Sequence, residues 1–268
     1  MSERVFIVGA GKVGRGLALA LRSAHVDVMG VHARTPHEGA TSSGAFPAAL
    51  GEANVVIVAV SDPSLEDVLT RLTAAKTAHQ LAHGSVVLYT SGGTTPHALD
   101  ALRAAGLPSG TFHPLAPFAT AERGAATLRD GWVGIDGDAT ACATARRLAA
   151  AVGARTVNIP VGAKPAYHAA AVIASNFPVV LAAIATRVLA QRGIDEHTAQ
   201  QVVAQLMAAA VHNLAQGPAM QVLTGPAVRG DDDVIAAHRA TLAGDPIAAE
   251  VYDALTHAAR ALRGETRR

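Results

Sequence analysis

The glycine-rich segment at residues 5–21, VFIVGAGKVGRGLALAL, constrains the fold of this chain more strongly than any other stretch. A short apolar run precedes three glycines with the spacing G-x-G-x-x-G, and apolar residues then recur at helical spacing. This order of strand, turn and helix is typical of a dinucleotide-binding unit, although a glycine-rich turn without a ligand is the alternative. The start of such a helix offers N–H groups and a positive dipole end to a diphosphate. We therefore predict a cofactor turn formed by Gly9, Ala10, Gly11, Lys12, Val13 and Gly14.

Strand-like and helix-like segments alternate after this turn. Continuous apolar runs such as NVVIVAV at residues 54–60 are typical of strands buried in a parallel sheet. Thr95 and Pro96 predict a helix start as cap and first residue. The alternation predicts a doubly wound, mostly parallel Rossmann-type sheet. Because ligands of such sheets lie beyond the carboxyl ends of the strands, we predict further cofactor contacts at Val60, Ser61, Ser91 and Gly92.

The pattern changes near Gly162, because no strand-like run follows it. Helices are predicted at residues 164–192, 197–216, 232–243 and 246–263. The fold class is therefore α/β, with two domains. We predict an NAD(P)-binding Rossmann domain at residues 1–161 and an all-helical substrate and dimerisation domain at residues 162–268.

The charge balance of the chain argues against nucleic acid or a membrane surface as a partner, since 22 basic and 21 acidic residues give a net charge of +1. A single cysteine, Cys142, and no recognisable signal peptide favour a cytoplasmic location. The twelve histidines are scattered, and no H-x-x-x-H pair stands beside a carboxylate cluster. We therefore predict no metal site.

Residues 165–186 form an uncharged segment about as long as a membrane span. His168, Ser175, Asn176 and Pro178 interrupt its apolar character, and alanine outnumbers leucine. We interpret the segment as a helix buried between subunits. This interpretation predicts a homodimer formed through the C-terminal helices and no membrane partner.

The residues at the end of the second predicted strand bear on the choice of nicotinamide cofactor. A carboxylate there favours NAD, whereas a basic residue accommodates the additional phosphate of NADP. This chain has Arg34 and Thr35 at that position, and the next carboxylate is Glu38. Arg34 offers a planar fork for phosphate oxygens. We therefore favour NADP over NAD, the alternative being that Arg34 is only an exposed loop charge.

The helix predicted after Gly162 carries a polar stripe. Lys164, His168 and Ser175 fall on one face at helical spacing, among alanine and aliphatic residues. A partly buried lysine can serve as an acid or a base, and His168 can share the proton transfer. The alternatives are a solvated charge at the helix start and a histidine whose hydrogen bonds are satisfied in the core.

Three further residues are candidates with alternatives left open. His113 follows a strand and precedes a proline, so it either faces the nicotinamide or caps the loop. Asn176 is a candidate substrate contact or a bond to a neighbouring helix. Arg229 lies in residues 224–233, which predict a rigid loop between helices. It either clamps a substrate carboxylate or pairs with Asp231.

A glycine, a lysine and a polar residue one helical turn later resemble the β-hydroxyacid dehydrogenases, which include the 3-hydroxyisobutyrate and 6-phosphogluconate enzymes. The resemblance implies a 6-phosphogluconate dehydrogenase-like C-terminal domain in which Lys164 transfers the proton. The later polar position is usually asparagine in that group, and His168 stands there in this chain.

A longer series of motifs, YTSGG, HPLAPF, KPAYHAAAVIASNF and LTGPAVRGD, is similar to a bacterial family. That family joins a Rossmann-like domain to the domain of unknown function 2520, and it is related to the ketopantoate and pyrroline-carboxylate reductases. The resemblance implies an NAD(P)-binding domain and a dimer-forming helical domain, without assigning a substrate.

These features together predict an NADP-dependent oxidoreductase that transfers hydride to or from a small carboxylate-bearing carbonyl, hydroxyl or imine substrate. The nicotinamide would carry the difficult chemistry, and the protein would position it. One alternative is an NADP-binding sensor or interaction protein without turnover, because fold does not fix function. A deazaflavin coenzyme in place of nicotinamide is a second alternative, although the glycine spacing favours a dinucleotide.

Overall fold

All strands that the structure describes precede Lys164, and the elements that follow are helices. The structure is a computed structural model that describes residues 3–265. The chain forms two compact units, Met1–Val172 (the first unit) and Ile173–Arg268 (the second unit). The strands are β1 (Arg4–Val8), β2 (Asp27–Ala33), β3 (Ser42–Ser43), β4 (Val55–Val58), β5 (Val86–Tyr89), β6 (Ser109–Pro114), β7 (Trp132–Gly137) and β8 (Arg155–Asn158).

Helices connect most of these strands. They are α1 (Lys12–Ser23), α2 (Asp62–Thr77), α3 (Ala98–Ala104), α4 (Ala121–Leu128) and α5 (Ala139–Ala151), with a 3₁₀ turn at Ala48–Glu52. The long helix α6 (Lys164–Ala190) begins in the first unit and continues into the second.

The strands form one sheet in the order β3-β2-β1-β4-β5-β6-β7-β8. All neighbouring pairs are parallel except β6 with β7. Side chains alternate between two cores, as the period of two along a strand requires. Ile7 and Ile57 enter the core on one face of the sheet, and Val8 and Val58 enter the core on the other. The predicted fold class, a mostly parallel Rossmann-type sheet followed by helices, is confirmed.

The reversed direction of β7 determines which side chains meet at the carboxyl end of β6. In the antiparallel register Thr111 lies opposite Asp136, and His113 lies opposite Gly134. Residues from the middle of β7 are thereby placed beside the end of β6. A parallel strand at this position would have brought different residues there.

The second unit consists of helices in the part that the structure describes. After α6 these are α7 (Glu196–Gln216), α8 (Ala219–Val222), α9 (Pro226–Arg229), α10 (Asp232–Leu242) and α11 (Pro246–Glu265). Ion pairs join them, such as Arg187 with Asp245 at 2.9 Å and Arg239 with Asp253 at 2.7 Å.

Several predictions of local structure were wrong. Thr95 and Pro96 do not open a helix, because α3 begins at Ala98 with His97 as its N-cap. Residues 224–233 are not only a loop, since they contain the helical turn α9. The helix α4 was not predicted.

The first unit extends beyond residue 161, where the predicted Rossmann domain ends. Its last residues are the opening turns of α6, which pack on the sheet through Lys164 and Tyr167. The assignment of separate functions to residues 1–161 and 162–268 stays a prediction.

Candidate functional site

Two glycines of the fingerprint are required by the packing of the turn between β1 and α1. A Cβ atom on Gly14 would collide with the carbonyl oxygen of Gly9, and one on Gly9 would collide with that of Ala59. Gly9 also has a φ of 123°, which L-residues with side chains rarely adopt. These glycines bring α1 close to the ends of β1 and β4.

Gly11 has a different environment, one that fits a bound diphosphate. A Cβ atom on Gly11 would meet no atom within 4 Å, so the space above it is open. Gly11 is the N-cap of α1, and no side chain accepts a hydrogen bond from the start of this helix. A helix start with uncapped N–H groups and open space in front of it is suited to an anion. Lys12 and Val13 form the first turn of this helix.

A cavity of about 300 Å³ continues from the glycine turn to the end of β2. The predicted cofactor residues that line it are Gly9, Ala10, Gly11, Arg34, Thr35, Val60 and Ser61. The cavity therefore joins the glycine turn to the position that distinguishes NADP from NAD.

Arg71 on α2 lines the same cavity, and the sequence prediction missed it. Its Nη2 donates to the carbonyl oxygen of Gly44 at 3.2 Å, and its guanidinium carbon lies 4.6 Å from the centroid of the Phe46 ring. Ser64 and Asp67 line the cavity from the same helix. The spacing i, i+3, i+7 of Ser64, Asp67 and Arg71 puts them on one face of α2, a signal that the sequence already carried.

The ammonium of Lys164 is enclosed at the carboxyl end of the sheet, with the residue only 4% exposed. Its Nζ donates to the Tyr89 hydroxyl, to Thr111 Oγ1 at 2.6 Å and to the carbonyl oxygen of Thr94 at 3.0 Å. Asp136 Oδ2 lies 3.4 Å away. The alternative of a solvated charge at the helix start does not hold.

Burial and the neighbouring carboxylate have opposite effects on the pKa of Lys164. Burial lowers the pKa of Lys164, while the nearby Asp136 carboxylate counteracts the effect. Burial raises the pKa of Tyr89 to about 12, so its hydroxyl stays protonated at neutral pH. Thr111 Oγ1 donates to Asp136 Oδ1 at 2.5 Å, which orients the carboxylate. Asp136 was not predicted, because its place in the cluster follows from the antiparallel pairing of β7.

Three aromatic side chains, those of His113, Tyr167 and His168, lie next to the Lys164 cluster. The Nδ1 atom of His113 is 2.8 Å from the Tyr167 hydroxyl, and the two imidazole rings are 5.8 Å apart between centroids. The Nδ1 atom of His168 is buried and has no hydrogen-bond partner among the described residues, so His168 is not a satisfied core histidine.

Glycines make room for these three rings. A Cβ atom on Gly92 would lie 2.6 Å from the His113 ring, and one on Gly93 would lie 3.0 Å from the His168 ring. A Cβ atom on Gly134 would collide with the Tyr167 hydroxyl. The predicted cofactor residue Gly92 therefore has a packing role, and its neighbour Ser91 bonds Thr94 through the two hydroxyls at 2.9 Å.

The predicted substrate residues belong to the second unit. Ser175 Oγ donates to Asn176 Oδ1 at 2.9 Å. Arg229 forms an ion pair with Asp231 at 2.7 Å, which is the alternative that the sequence left open. Among residues 3–265, no three His, Cys, Asp or Glu side chains are grouped to hold a metal ion.

Replacing Gly11 and Gly14 separates the ligand role of the turn from its packing role. Gly14→Ala should lower the free energy of unfolding by about 1–3 kcal/mol, because the added methyl group overpacks the turn. Gly11→Ala should change it by about 1 kcal/mol or less, but should weaken NADPH binding at least about tenfold by filling the diphosphate space. Urea unfolding and NADPH titration measure the two effects, and equal NADPH affinity in Gly11→Ala and the wild type would contradict the assignment.

The Lys164–Asp136 pair can be tested with a double-mutant cycle. Lys164→Met should lower the free energy of unfolding by about 3 kcal/mol, because the carboxylate loses its cation. The double variant Lys164→Met/Asp136→Asn should lose less unfolding free energy than the two single variants lose in sum. Arg239→Met is the control, since it removes an exposed pair with Asp253 in the second unit and should destabilise the protein much less than Lys164→Met. Strict additivity in urea unfolding would show that the pair is not coupled.

Comparison with known structures identifies chains of the same fold. A candidate NADP oxidoreductase from Bacteroides fragilis, BF3122, is 20% identical, with a TM-score of 0.77 and coverage of 97% of this chain and 98% of that chain. Protein TM1727 from Thermotoga maritima is 23% identical, with a TM-score of 0.70 and coverage of 98% and 100%. Plasmodium falciparum pyrroline carboxylate reductase, solved with NADP bound, is 10% identical, with a TM-score of 0.65 and coverage of 97% and 98%.

No curated protein matches the sequence. The model of the family described as domain of unknown function (DUF2520) matches residues 132–259, from the start of β7 into α11. This match confirms the resemblance inferred from the motifs, and it covers the last two strands of the sheet as well as the helices up to α11.

Proposed function

We propose that this protein is an NADP-dependent oxidoreductase acting on a small carboxylate-bearing carbonyl, hydroxyl or imine compound. The observation that carries the proposal is the continuous cavity from the uncapped start of α1 to Arg34 and Arg71. Its two ends match the two charged parts of NADP, a diphosphate and a 2′-phosphate. The reductases with the same fold are consistent with this activity.

The charges at the far end of the cavity support NADP over NAD. Arg34 and Arg71 line it together with one carboxylate, that of Asp67. Arg71 is already oriented by Gly44 and Phe46, so little side-chain freedom is lost when it binds a phosphate. Arginine presents a planar fork that matches phosphate oxygens. We infer that both arginines contact the 2′-phosphate.

A bound nicotinamide would supply or accept the hydride. The protein would then hold the substrate and exchange one proton with it. Three candidate proton-transfer groups lie in the first unit: Lys164, His168 and His113. Lys164 can transfer a proton only after one of its hydrogen bonds breaks, because its Nζ already has three hydrogen-bond partners. The two histidines are partly exposed, so a substrate can approach them more directly.

Substitution of the two arginines tests the proposed cofactor. Arg34→Ala and Arg71→Ala should each weaken NADPH binding about tenfold or more, the value of a charge-assisted hydrogen bond, and change NADH binding less than about twofold. Arg123→Ala, at an exposed position on α4, is the control and should change neither affinity. Nicotinamide fluorescence titrations measure the dissociation constants of the wild type and the three variants for both nucleotides. An equal loss for both nucleotides would contradict the 2′-phosphate assignment.

A turnover assay distinguishes the proposed oxidoreductase from an NADP-binding sensor without catalysis. NADPH oxidation is measured against a panel of 2-oxo acids and cyclic imines, and the proposal expects oxidation with at least one member. Tight NADPH binding without turnover on the whole panel would favour the non-catalytic alternative.

We also propose that two copies of the chain pair through the second unit. Helix α6 is long and apolar enough to cross a membrane by length and composition, with a mean hydropathy of 1.9 over its best window, and none of that window is buried. Val179 is 70% exposed on α6, and Leu206 is 65% exposed on α7. Large apolar side chains that are this exposed along two long helices indicate an interaction site. Because the interrupting polar residues on α6 disfavour a lipid environment, a second copy is the occupant that we propose.

Charged substitutions on these helices test the dimer. Val179→Glu and Leu206→Glu should convert a dimer into a monomer, since each would bury an unpaired carboxylate in the interface. Val161→Glu is the control, because Val161 is fully exposed in the first unit. Light scattering coupled to gel filtration measures the mass. A wild-type monomer, or wild-type protein that requires detergent, would contradict the proposal.

A further inference from the structure

A hydrogen bond between His113 and Tyr167 joins the end of β6 to the first turn of α6. The Tyr167 hydroxyl lies 2.8 Å from His113 Nδ1, and the two rings meet edge to face at 5.5 Å between centroids. Tyr167 follows Lys164 by three residues, so the enclosed lysine holds the same helical turn on the sheet. The collision that a Cβ atom on Gly134 would make shows that the hydroxyl lies directly over β7.

The protonation states of the partners suit Tyr167 as the donor in this hydrogen bond. Burial raises the pKa of Tyr167 to about 12, so the group remains a phenol. Burial, with His168 and Lys164 nearby and Asp62 acting against them, lowers the pKa of His113 to about 4, so the imidazole is neutral at pH 7. A phenol is a strong donor, and the bare nitrogen of a neutral imidazole is a strong acceptor. Donation from Tyr167 to Nδ1 would place the proton of His113 on Nε2.

We propose that Tyr167 is a positioning residue that fixes His113 as its Nε2–H tautomer, and that His113 uses this N–H to polarise the C=O or C=N group of the substrate. This inference rests on the proposed reductase function and assigns a neutral hydrogen-bond donor to it. Among residues 3–265, no side chain or backbone group bonds His113 Nε2, and the residue is partly exposed. His113 lies at the carboxyl end of β6, the edge of the sheet where ligands bind.

A neutral donor at this position separates the stabilisation of charge on the substrate from the transfer of a proton to it. The N–H of His113 stabilises the charge that develops on the substrate oxygen or nitrogen, and it does so without giving up its proton. Gly92 fixes the position of the ring by leaving room for it, so the donor is already oriented before a substrate arrives. The proton that the reduced substrate takes up then comes from Lys164 or His168, and Lys164 also holds the helical turn that carries Tyr167.

The chain contains a matched control for this pair. In the second unit, His238 Nδ1 lies 2.8 Å from the Tyr252 hydroxyl, and the rings meet edge to face at 5.6 Å. The bond has a similar geometry at an exposed position of the second unit. Tyr252→Phe therefore removes an equivalent hydrogen bond without touching His113.

The tautomer can be measured without knowing the substrate. Long-range ¹H–¹⁵N correlation spectra of the full chain, labelled at histidine and recorded at pH 7, should show His113 with its proton on Nε2. Tyr167→Phe should convert this signal to that of a tautomer mixture, and Tyr252→Phe should leave it unchanged. A wild-type His113 with its proton on Nδ1, or an unchanged signal in Tyr167→Phe, would overturn the inference.

Kinetics test the role of the donor in the reaction. With NADPH and the panel of 2-oxo acids and cyclic imines, His113→Ala should lower kcat about 100-fold. Tyr167→Phe should lower kcat about fivefold, and its Kd for NADPH should stay within about twofold of wild type. Unchanged kcat in Tyr167→Phe, or no turnover of any panel member, would overturn the polarising role. Failure of the wild type to bind NADPH would instead overturn the proposed function and leave the tautomer result intact.

Discussion

The ammonium of Lys164 lies where four parts of the first unit meet, and its hydrogen bonds hold them together. It binds Tyr89 at the end of β5, Thr94 in the following loop and Thr111 on β6. Asp136 on β7 balances its charge. Because the lysine is the first residue of α6, these bonds fix the turn that carries Tyr167 and His168. A buried charge requires hydrogen-bond partners and a counter-charge. Because the sheet edge supplies both to Lys164, the start of α6 is fixed to that edge.

Much of the sheet could be predicted from the sequence, because its determinants are local. The glycine spacing, the apolar runs and the alternation of strands with helices each depend on neighbouring residues, and the structure has the predicted β1, α1 and β4. The predicted helix boundaries were wrong where the residue types near the boundary were ambiguous. Thr95 and Pro96 have the residue types of a helix start. The carbonyl oxygen of the preceding Thr94 accepts a hydrogen bond from Lys164, however, and the helix begins only at Ala98.

The candidate site was harder to predict, because contacts between distant segments create it. Lys164, His168 and His113 were recognisable by residue type, but Asp136 reaches the cluster only because β7 runs antiparallel to β6. Arg71 reaches the cofactor cavity from α2, which follows β4, whereas Arg34 directly follows β2. Gly92 was predicted as a cofactor contact, whereas Gly92 and its neighbour Gly93 each leave room for an imidazole ring. The roles of these residues depend on contacts with residues that are distant in the sequence, so local patterns do not predict them.

We propose that the carboxyl edge of the sheet holds a dinucleotide from the start of α1 to the end of β6. A crystal structure of the NADPH complex would locate each part of the cofactor. The diphosphate should lie within hydrogen-bond distance of the backbone N–H groups that follow Gly11, the 2′-phosphate between Arg34 and Arg71, and the nicotinamide ring beside His113. A nucleotide bound elsewhere, or a diphosphate that does not contact the start of α1, would contradict this proposal.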